Sequence, residues 1–317
     1  MKTQNKGNGK MKIQKIRQGL LAGFVLFAVV GMFCLAQRAE ARPLGETANT
    51  VAELAAAGDD AALQDFLADM SIEERVAVVR ELAEGMRGRR AEKVFEPLFK
   101  ALIMLQPTNG MDALAAAVEA SQGNQTIVKS AMQGLIAGTM AHPSLENEEQ
   151  RLAALARTAE AAAATVVRVA EENDRINAVG VAYAVAHGGV LGVDVGENGS
   201  DRMKTVGEAL ARGGVGAAVE KNKPGVARAM MLALAHLQDV EARRAAVAGL
   251  MLGGEAEGGE PAVALMVPLR EQLVHVIPLG PAPVAPELPI PPGPDEARTP
   301  ETPIEPRPPR PEPVTPF

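Results

Sequence analysis

Three of the four histidines in this chain close similar apolar runs, "GTMAH", "YAVAH" and "LALAH". These residues, His142, His187 and His236, are 45 and 49 residues apart. Imidazole nitrogens are common zinc ligands, so the three side chains could form a metal site. Alternatively, they could occupy equivalent positions of a repeated fold, which also produces self-similarity at a fixed period.

The repeat favours the structural interpretation. Equivalent positions on neighbouring packed helices are about 10 Å apart. A zinc ion needs its ligands about 2 Å from one centre. A histidine at a helix C-terminus can also bond the last free carbonyls and complement the helix dipole. We therefore expect the three histidines to mark the fold, with no metal and no cofactor.

The longest glycine-rich stretch, "HGGVLGVDVGENGSD", is a second candidate for chemistry. Part of it, "GGVLGVDV", approaches the calcium-binding repeat GGxGxDxUx, with Asp194 in the ligand position and Glu197 and Asp201 as further oxygen donors. It has one residue too many between the glycines and occurs once, whereas that calcium fold stacks several copies. We expect an ordinary loop between helices.

No nucleophile stands out in the sequence. The chain has five serines, none in a G-x-S-x-G motif, and its single cysteine, Cys34, lies in a segment that we expect to be removed. An enzyme would have to rely on histidine and carboxylates, and the repeated histidines already have a structural explanation. We therefore predict a non-catalytic protein.

The N-terminus has the features of an export signal. Residues 1–18 are basic without an acid, and the uncharged apolar run Gly19–Ala36 follows. Ala39 and Ala41 are small residues at the positions that signal peptidase reads, so we expect residues 1–41 to be cleaved off. The alternative is an uncleaved membrane anchor, because 18 apolar residues are just long enough to span a bilayer. Either outcome places the protein in the periplasm or cell envelope of a bacterium.

The charge of the processed chain limits its partners. Removing residues 1–41 takes 7 basic and 1 acidic residues from totals of 32 and 39, which leaves a net charge of −13. Such a chain is a poor partner for nucleic acid or for an anionic lipid surface. Membrane contact is expected only through an uncleaved N-terminal segment. The basic cluster of Arg87, Arg89, Arg90 and Lys93 has no interleaved aromatics, and we interpret it as a solvated helix terminus.

Residues 42–277 are predicted to be helical. In "SIEERVAVVRELAEGM", Ser71 and Glu74 form a capping-box pattern, and apolar residues follow at helical spacing. The other predicted helices are Asp60–Met70, Ala91–Gln106, Met111–Ser121, Gln125–Ala141, Leu145–Glu172, Asp174–His187, Arg202–Arg212, Gly225–Leu237, Val240–Leu252 and Pro261–Ile277.

Aligning the Ala-His pairs predicts how these helices are arranged. Val118, Val169 and Val219 then also align, with spacings of 51 and 50 residues. A period of this size, built from antiparallel helix pairs, resembles the α-solenoids of HEAT or armadillo type. The resemblance is architectural, because no family motif lies within a repeat. A single irregular helical bundle is the alternative fold.

The last 40 residues form a separate segment, since 16 of the 23 prolines lie in residues 278–317. Proline lacks the backbone donor and fixes its φ angle, so we expect a disordered polyproline II tail. Its role is either a spacer that reaches the cell wall or a ligand for a polyproline-binding domain, with Arg307 and Arg310 in PxxP-like runs. The composition favours the spacer.

These features together predict a non-catalytic scaffold or adaptor of the cell envelope, with an unidentified protein partner. The helical body would supply the interaction surface, and the tail would supply reach. The alternative from another class is an envelope hydrolase or its accessory factor, acting through a site that the sequence does not identify.

Overall fold

A computed structural model of the chain describes residues 45–275, except residues 195 and 197. The predicted signal segment, with Ala39 and Ala41, and the proline-rich residues 278–317 lie outside the described residues, as does Glu197 of the candidate calcium loop. Eleven α-helices and one short 3-10 helix make up the described part, which contains no β-strand. The all-α prediction is confirmed.

The helices are numbered here in chain order. They are α1 Glu46–Ala57, α2 Asp60–Ala68, α3 Ile72–Gly85, α4 Gly88–Leu105, α5 Pro107–Ala120, α6 Gln125–Ala141, α7 Glu148–Glu172, α8 Ala178–Leu191, α9 Gly199–Ala217, α10 Lys223–Ala233 and α11 Val240–His275, with the 3-10 helix Leu234–His236 between the last two. None of the helices in residues 45–275 combines the length and apolarity needed to cross a membrane.

Side-chain caps fix several helix starts. The capping box predicted at Ser71 is present: the hydroxyl accepts the Glu74 N–H at 3.2 Å, and the Glu74 carboxylate accepts the Ser71 N–H at 2.7 Å. The Ser71 N–H, and to a smaller extent the Ser71 hydroxyl, stabilise the ionised carboxylate, so the pKa of Glu74 is lowered from its ordinary value. Asn147 caps α7 in a similar way, by accepting the N–H of Gln150 at 2.9 Å.

Helices two apart in the sequence pack against each other in two rows. In one row α3 contacts α5, α5 contacts α7, α7 contacts α9 and α9 contacts α11. In the other row α4 contacts α6, α6 contacts α8 and α8 contacts α10. Consecutive helices from α4 onward make the contacts between the rows. Every helix from α5 to α9 therefore has a neighbour on each side within its row.

Glycine allows the backbones of neighbouring helices to touch within each row. A Cβ atom placed at Gly134 would lie 2.1 Å from the carbonyl oxygen of Glu96, which joins α4 to α6. The same substitution at Gly188 of α8 would meet the carbonyl of Lys129 at 2.1 Å. Distances this short are forbidden, so these positions accept no side chain. The close contacts between these helices therefore require glycine at positions 134 and 188.

The structure corrects several predicted helix ends. Helix α8 does not stop at His187 but continues through two glycines to Leu191. Helix α9 continues past Arg212 to Ala217. The two helices predicted at the C-terminal end are joined in α11, interrupted by a non-helical Gly259 with φ of 55°. A glycine within a helix costs about 1 kcal/mol relative to alanine, but at these positions close packing against neighbouring helices offsets that cost.

Candidate functional site

His142 lies immediately after α6, as its C-terminal cap residue. Its Nδ1 atom lies 3.3 Å from the backbone nitrogen of Ser144 and 2.7 Å from the Ser144 hydroxyl. Because the backbone N–H can only donate, Nδ1 is the accepting nitrogen and a neutral ring carries its proton on Nε2. His142 therefore sits at a helix end as predicted, but its ring stabilises the following turn.

The other two histidines are brought together. The rings of His187 and His236 stack with centroids 4.7 Å apart and planes 22° from parallel. Tyr183, the only tyrosine of the chain, is one helical turn before His187, and its hydroxyl is hydrogen-bonded to Nε2 of His236. We call these three side chains the imidazole cluster.

The rings of His187 and His236 are closer together than equivalent positions of successive repeats are expected to be. Equivalent positions were expected about 10 Å apart. However, His187 lies four residues before the end of α8 and His236 ends the 3-10 helix, so their side chains can extend toward each other across neighbouring helices. His142 lies at the end of α6, where its ring contacts Ser144. The three histidines therefore do not form one row.

The surroundings of His187 disfavour its charged form. Burial lowers the pKa of His187 below its ordinary value of 6.5, and the neighbouring His236 and Lys129 lower it further. The ammonium group of Lys129 is itself paired with Glu92 at 2.6 Å, which links α6 to α4. The neutral form of His187 is therefore favoured within a polar group that spans several helices.

The proposed calcium ligands lie in and beside the loop between α8 and α9. Asp194 is in the loop, where its backbone N–H points at the sulfur of Met140 at 3.4 Å, and Asp201 is in the first turn of α9. Nearby, Arg202 forms two hydrogen bonds with Glu148, at 2.6 and 2.8 Å. This pair lowers the pKa of Glu148. Among the described residues, no three histidine, cysteine or acidic side chains are grouped as metal ligands.

Two of the concavities beside α7 share lining residues, and sequence reasoning identified neither of them. The first, which we call the α5–α7 recess, has a volume of about 420 Å³. It is lined by Ile103, Pro107, Thr108, Met111, Thr139, His142, Ser144, Leu145, Ala154, Arg157, Thr158 and Ala161. The second, the α7–α9 groove, has a volume of about 610 Å³. It is lined by Arg157, Glu160, Ala161, Ala164, Arg168, Arg212, Gly213, Gly216, Ala217 and Glu257.

The recess and the groove share Arg157 and Ala161, so they adjoin each other along α7. The recess is mainly apolar, whereas the groove carries three arginines and two glutamates over a floor of alanine and glycine. The floor is low because α7 and α9 touch there: a Cβ atom at Gly213 would lie 2.1 Å from the carbonyl oxygen of Glu160. The only sequence signal was the regular placement of small residues along both helices.

Comparison with known proteins leaves the candidate site to be interpreted from its geometry. No family model matches the chain, and neither a curated protein nor a solved structure shows significant similarity to it.

Proposed function

We propose that this protein is a non-catalytic scaffold or adaptor exported to the cell envelope of a bacterium. The observation that carries the proposal is the surface along α7, where the α7–α9 groove lies open between two helices of one row. An open, shallow concavity with a floor of small side chains suits a protein partner.

The helix contacts support an α-solenoid of HEAT or armadillo type. The same contact between helices two apart recurs from α3 to α11. An irregular bundle would bring helices together without such a repeating order. In a solenoid each repeat contacts only its neighbours, which exposes an extended surface for binding.

The proposal also includes export through the N-terminal segment and a spacer role for the proline-rich tail. Cleavage after Ala41 would release a chain that begins at Arg42, and residues 278–317 would act as a spacer toward the wall or outer membrane. An intact-mass measurement on protein recovered from its host tests the first point. A mass that includes residues 1–41 would indicate that the adaptor is anchored in the membrane and not released from it.

Partner capture from the native envelope tests the interaction surface. We expect the variant Arg168→Glu, Arg212→Glu to lose the partner, because both changes reverse charge in the α7–α9 groove. Arg228→Glu is the matched control, since it reverses an exposed arginine on α10 in the other row. If all three proteins recover the same partners, the groove is not the interaction surface.

A hydrolase or its accessory factor is the second candidate function. The observation in its favour is the contact of 2.7 Å between Ser144 Oγ and His142 Nδ1 at the α5–α7 recess, because a serine next to an accepting imidazole nitrogen is the arrangement used by acyl-transfer enzymes. A fluorophosphonate probe distinguishes the two functions. Labelling that disappears in Ser144→Ala would support the hydrolase, and an unlabelled wild-type protein would reject this serine as its nucleophile.

A further inference from the structure

The interior of the α5–α7 recess is suited to a hydrocarbon chain. Ile103, Met111, Leu145 and Ala154 supply aliphatic side chains from α4, α5, α7 and the turn before α7. Its volume of about 420 Å³ lies within the range of small-ligand pockets, roughly 300–1,000 Å³. Burial of each methylene group in such a site adds to the affinity for a hydrocarbon chain.

Two hydroxyl groups in the recess are already satisfied by the protein. Thr139 Oγ1 donates to the carbonyl oxygen of Leu135 at 2.8 Å. It therefore accepts the hydroxyl of Thr158, whose oxygen lies 3.2 Å away. Since both hydroxyl protons are used within the protein, these threonines leave no unmet donor for a polar ligand. This part of the recess consequently favours apolar contact.

Arg157 places a positive charge at the junction of the recess and the groove. Its Nε donates to the carbonyl oxygen of Ala153 at 3.3 Å, one turn earlier in α7. No ion pair with Arg157 occurs among residues 45–275, leaving out 195 and 197. A guanidinium group binds carboxylate or phosphate through paired hydrogen bonds. An apolar chamber thus ends at an available anion-binding group.

We propose that the α5–α7 recess binds a single-chain amphipathic anion, with its hydrocarbon chain in the recess and its carboxylate or phosphate on Arg157. This activity goes beyond the adaptor function and does not depend on it. The occupant is one free amphiphile and not a membrane surface. The recess lies among helices of a chain whose net charge is −7, and an anionic bilayer would repel it.

Dodecanoate labelled with ¹³C at its carboxyl carbon is the probe, used below its micellar concentration with the full chain. Titration calorimetry should give one site per chain, and the carboxyl resonance should shift on binding. Ala154→Leu should weaken binding at least about 10-fold, because the added side chain fills the recess. Ala153→Leu is the matched control: Ala153 is the exposed neighbouring position, does not line the recess, and should leave binding unchanged.

The charge of the ligand is tested separately. Arg157→Gln, at an exposed position, should weaken dodecanoate binding by about 10-fold or more. It should leave dodecanol binding unchanged, whereas Arg168→Gln, three turns further along α7, should affect neither ligand. Melting curves for every variant verify that each protein remains folded.

Several outcomes would overturn the proposal. They are the absence of saturable dodecanoate binding, many weakly bound molecules per chain, or equal losses in Ala153→Leu and Ala154→Leu. Binding to phosphatidylglycerol vesicles without binding to dodecanoate would replace the recess by a membrane contact. Partner capture through the α7–α9 groove is measured independently with Arg168→Glu, Arg212→Glu, so failure of one proposal leaves the other intact.

Discussion

The N-terminal helices α1–α4 and the later helices α6–α11 pack by different means. In the first region the core is filled by large side chains: Phe95 and Phe99 of α4 are fully buried and stack with ring centroids 6.3 Å apart. The glycines at 58 and 88 lie at helix boundaries with positive φ. In the second region glycines lie inside helices, against the backbone of the next helix in the row.

This difference has energetic and functional consequences. A core of large side chains gains stability from the apolar area that it removes from water, and a lost ring leaves a cavity. A contact between two helix backbones gains stability from short-range packing. A methyl group added at its glycine therefore produces a steric clash. Close helices also make a shallow surface. The open groove on α7 therefore belongs to the region that is rich in glycine.

The largest expected effect is in the aromatic region. Phe95→Ala should lower the free energy of unfolding by about 3–5 kcal/mol, because the ring is completely buried against other core side chains. Phe66→Ala should cost less, since Phe66 is only partly buried. Urea unfolding followed by circular dichroism measures both. Equal losses would mean that the N-terminal core is not centred on the stacked rings.

Adding a side chain, instead of removing one, tests the glycine-rich region. Gly213→Val should destabilise by about 3 kcal/mol, because any Cβ atom at this position collides with the carbonyl of Glu160. Gly216→Ala is the control in the same helix, where the nearest atom belongs to the flexible side chain of Glu257 at 3.2 Å. It should be neutral or stabilise by up to about 1 kcal/mol. Comparable losses in the two variants would argue against backbone contact as the cause.

A smaller effect is expected at the ion pair that joins α7 to α9. Arg202→Gln should destabilise by about 1–2 kcal/mol, because the pair with Glu148 is bidentate and the arginine side chain is only 11% exposed. Arg212→Gln should cost less than about 0.5 kcal/mol, since its pair with Glu208 lies within one exposed helix face. Denaturant melts at low and high salt compare the two. The ranking would be wrong if salt weakened the Arg202 pair as strongly as the Arg212 pair.

The smallest effect is a pH dependence at the imidazole cluster. The folded-state pKa of His187 is lowered, so the unfolded chain binds the proton more readily and stability falls as the pH decreases from the ordinary value of 6.5 through the folded pKa. Unfolding free energies at pH 7.5 and 5.5 should show this loss. His187→Gln should flatten the dependence, whereas His142→Gln should leave it unchanged. An identical slope in all three proteins would contradict the assignment to His187.

Local chemistry was sufficient to predict the helical composition of residues 45–275. Ser71 and Glu74 satisfy each other's backbone groups whatever lies around them, so the start of α3 was readable from four residues. Phe95 and Phe99 likewise recur at helical spacing within α4, and both are fully buried. The export signal and the proline-rich tail remain predictions that lie outside the described residues.

Tertiary contacts determined the helix packing and the candidate sites, which spacing along the chain does not predict. A glycine within a helical pattern signals either a stop or a close neighbour, and only the packed structure shows that Gly188 and Gly213 meet the backbone of another helix. The stacking of His187 on His236 depends on how far two side chains reach across adjacent helices, which a repeat length does not contain. The α5–α7 recess is lined by residues near the end of α4, the start of α5 and the end of α6, together with residues of α7, so it depends on how these helices pack. The sequence by itself determined that the chain forms helices and where many begin, because capping and periodicity act within a few residues. The sites depended on tertiary structure, because they are made of distances between residues far apart in the chain.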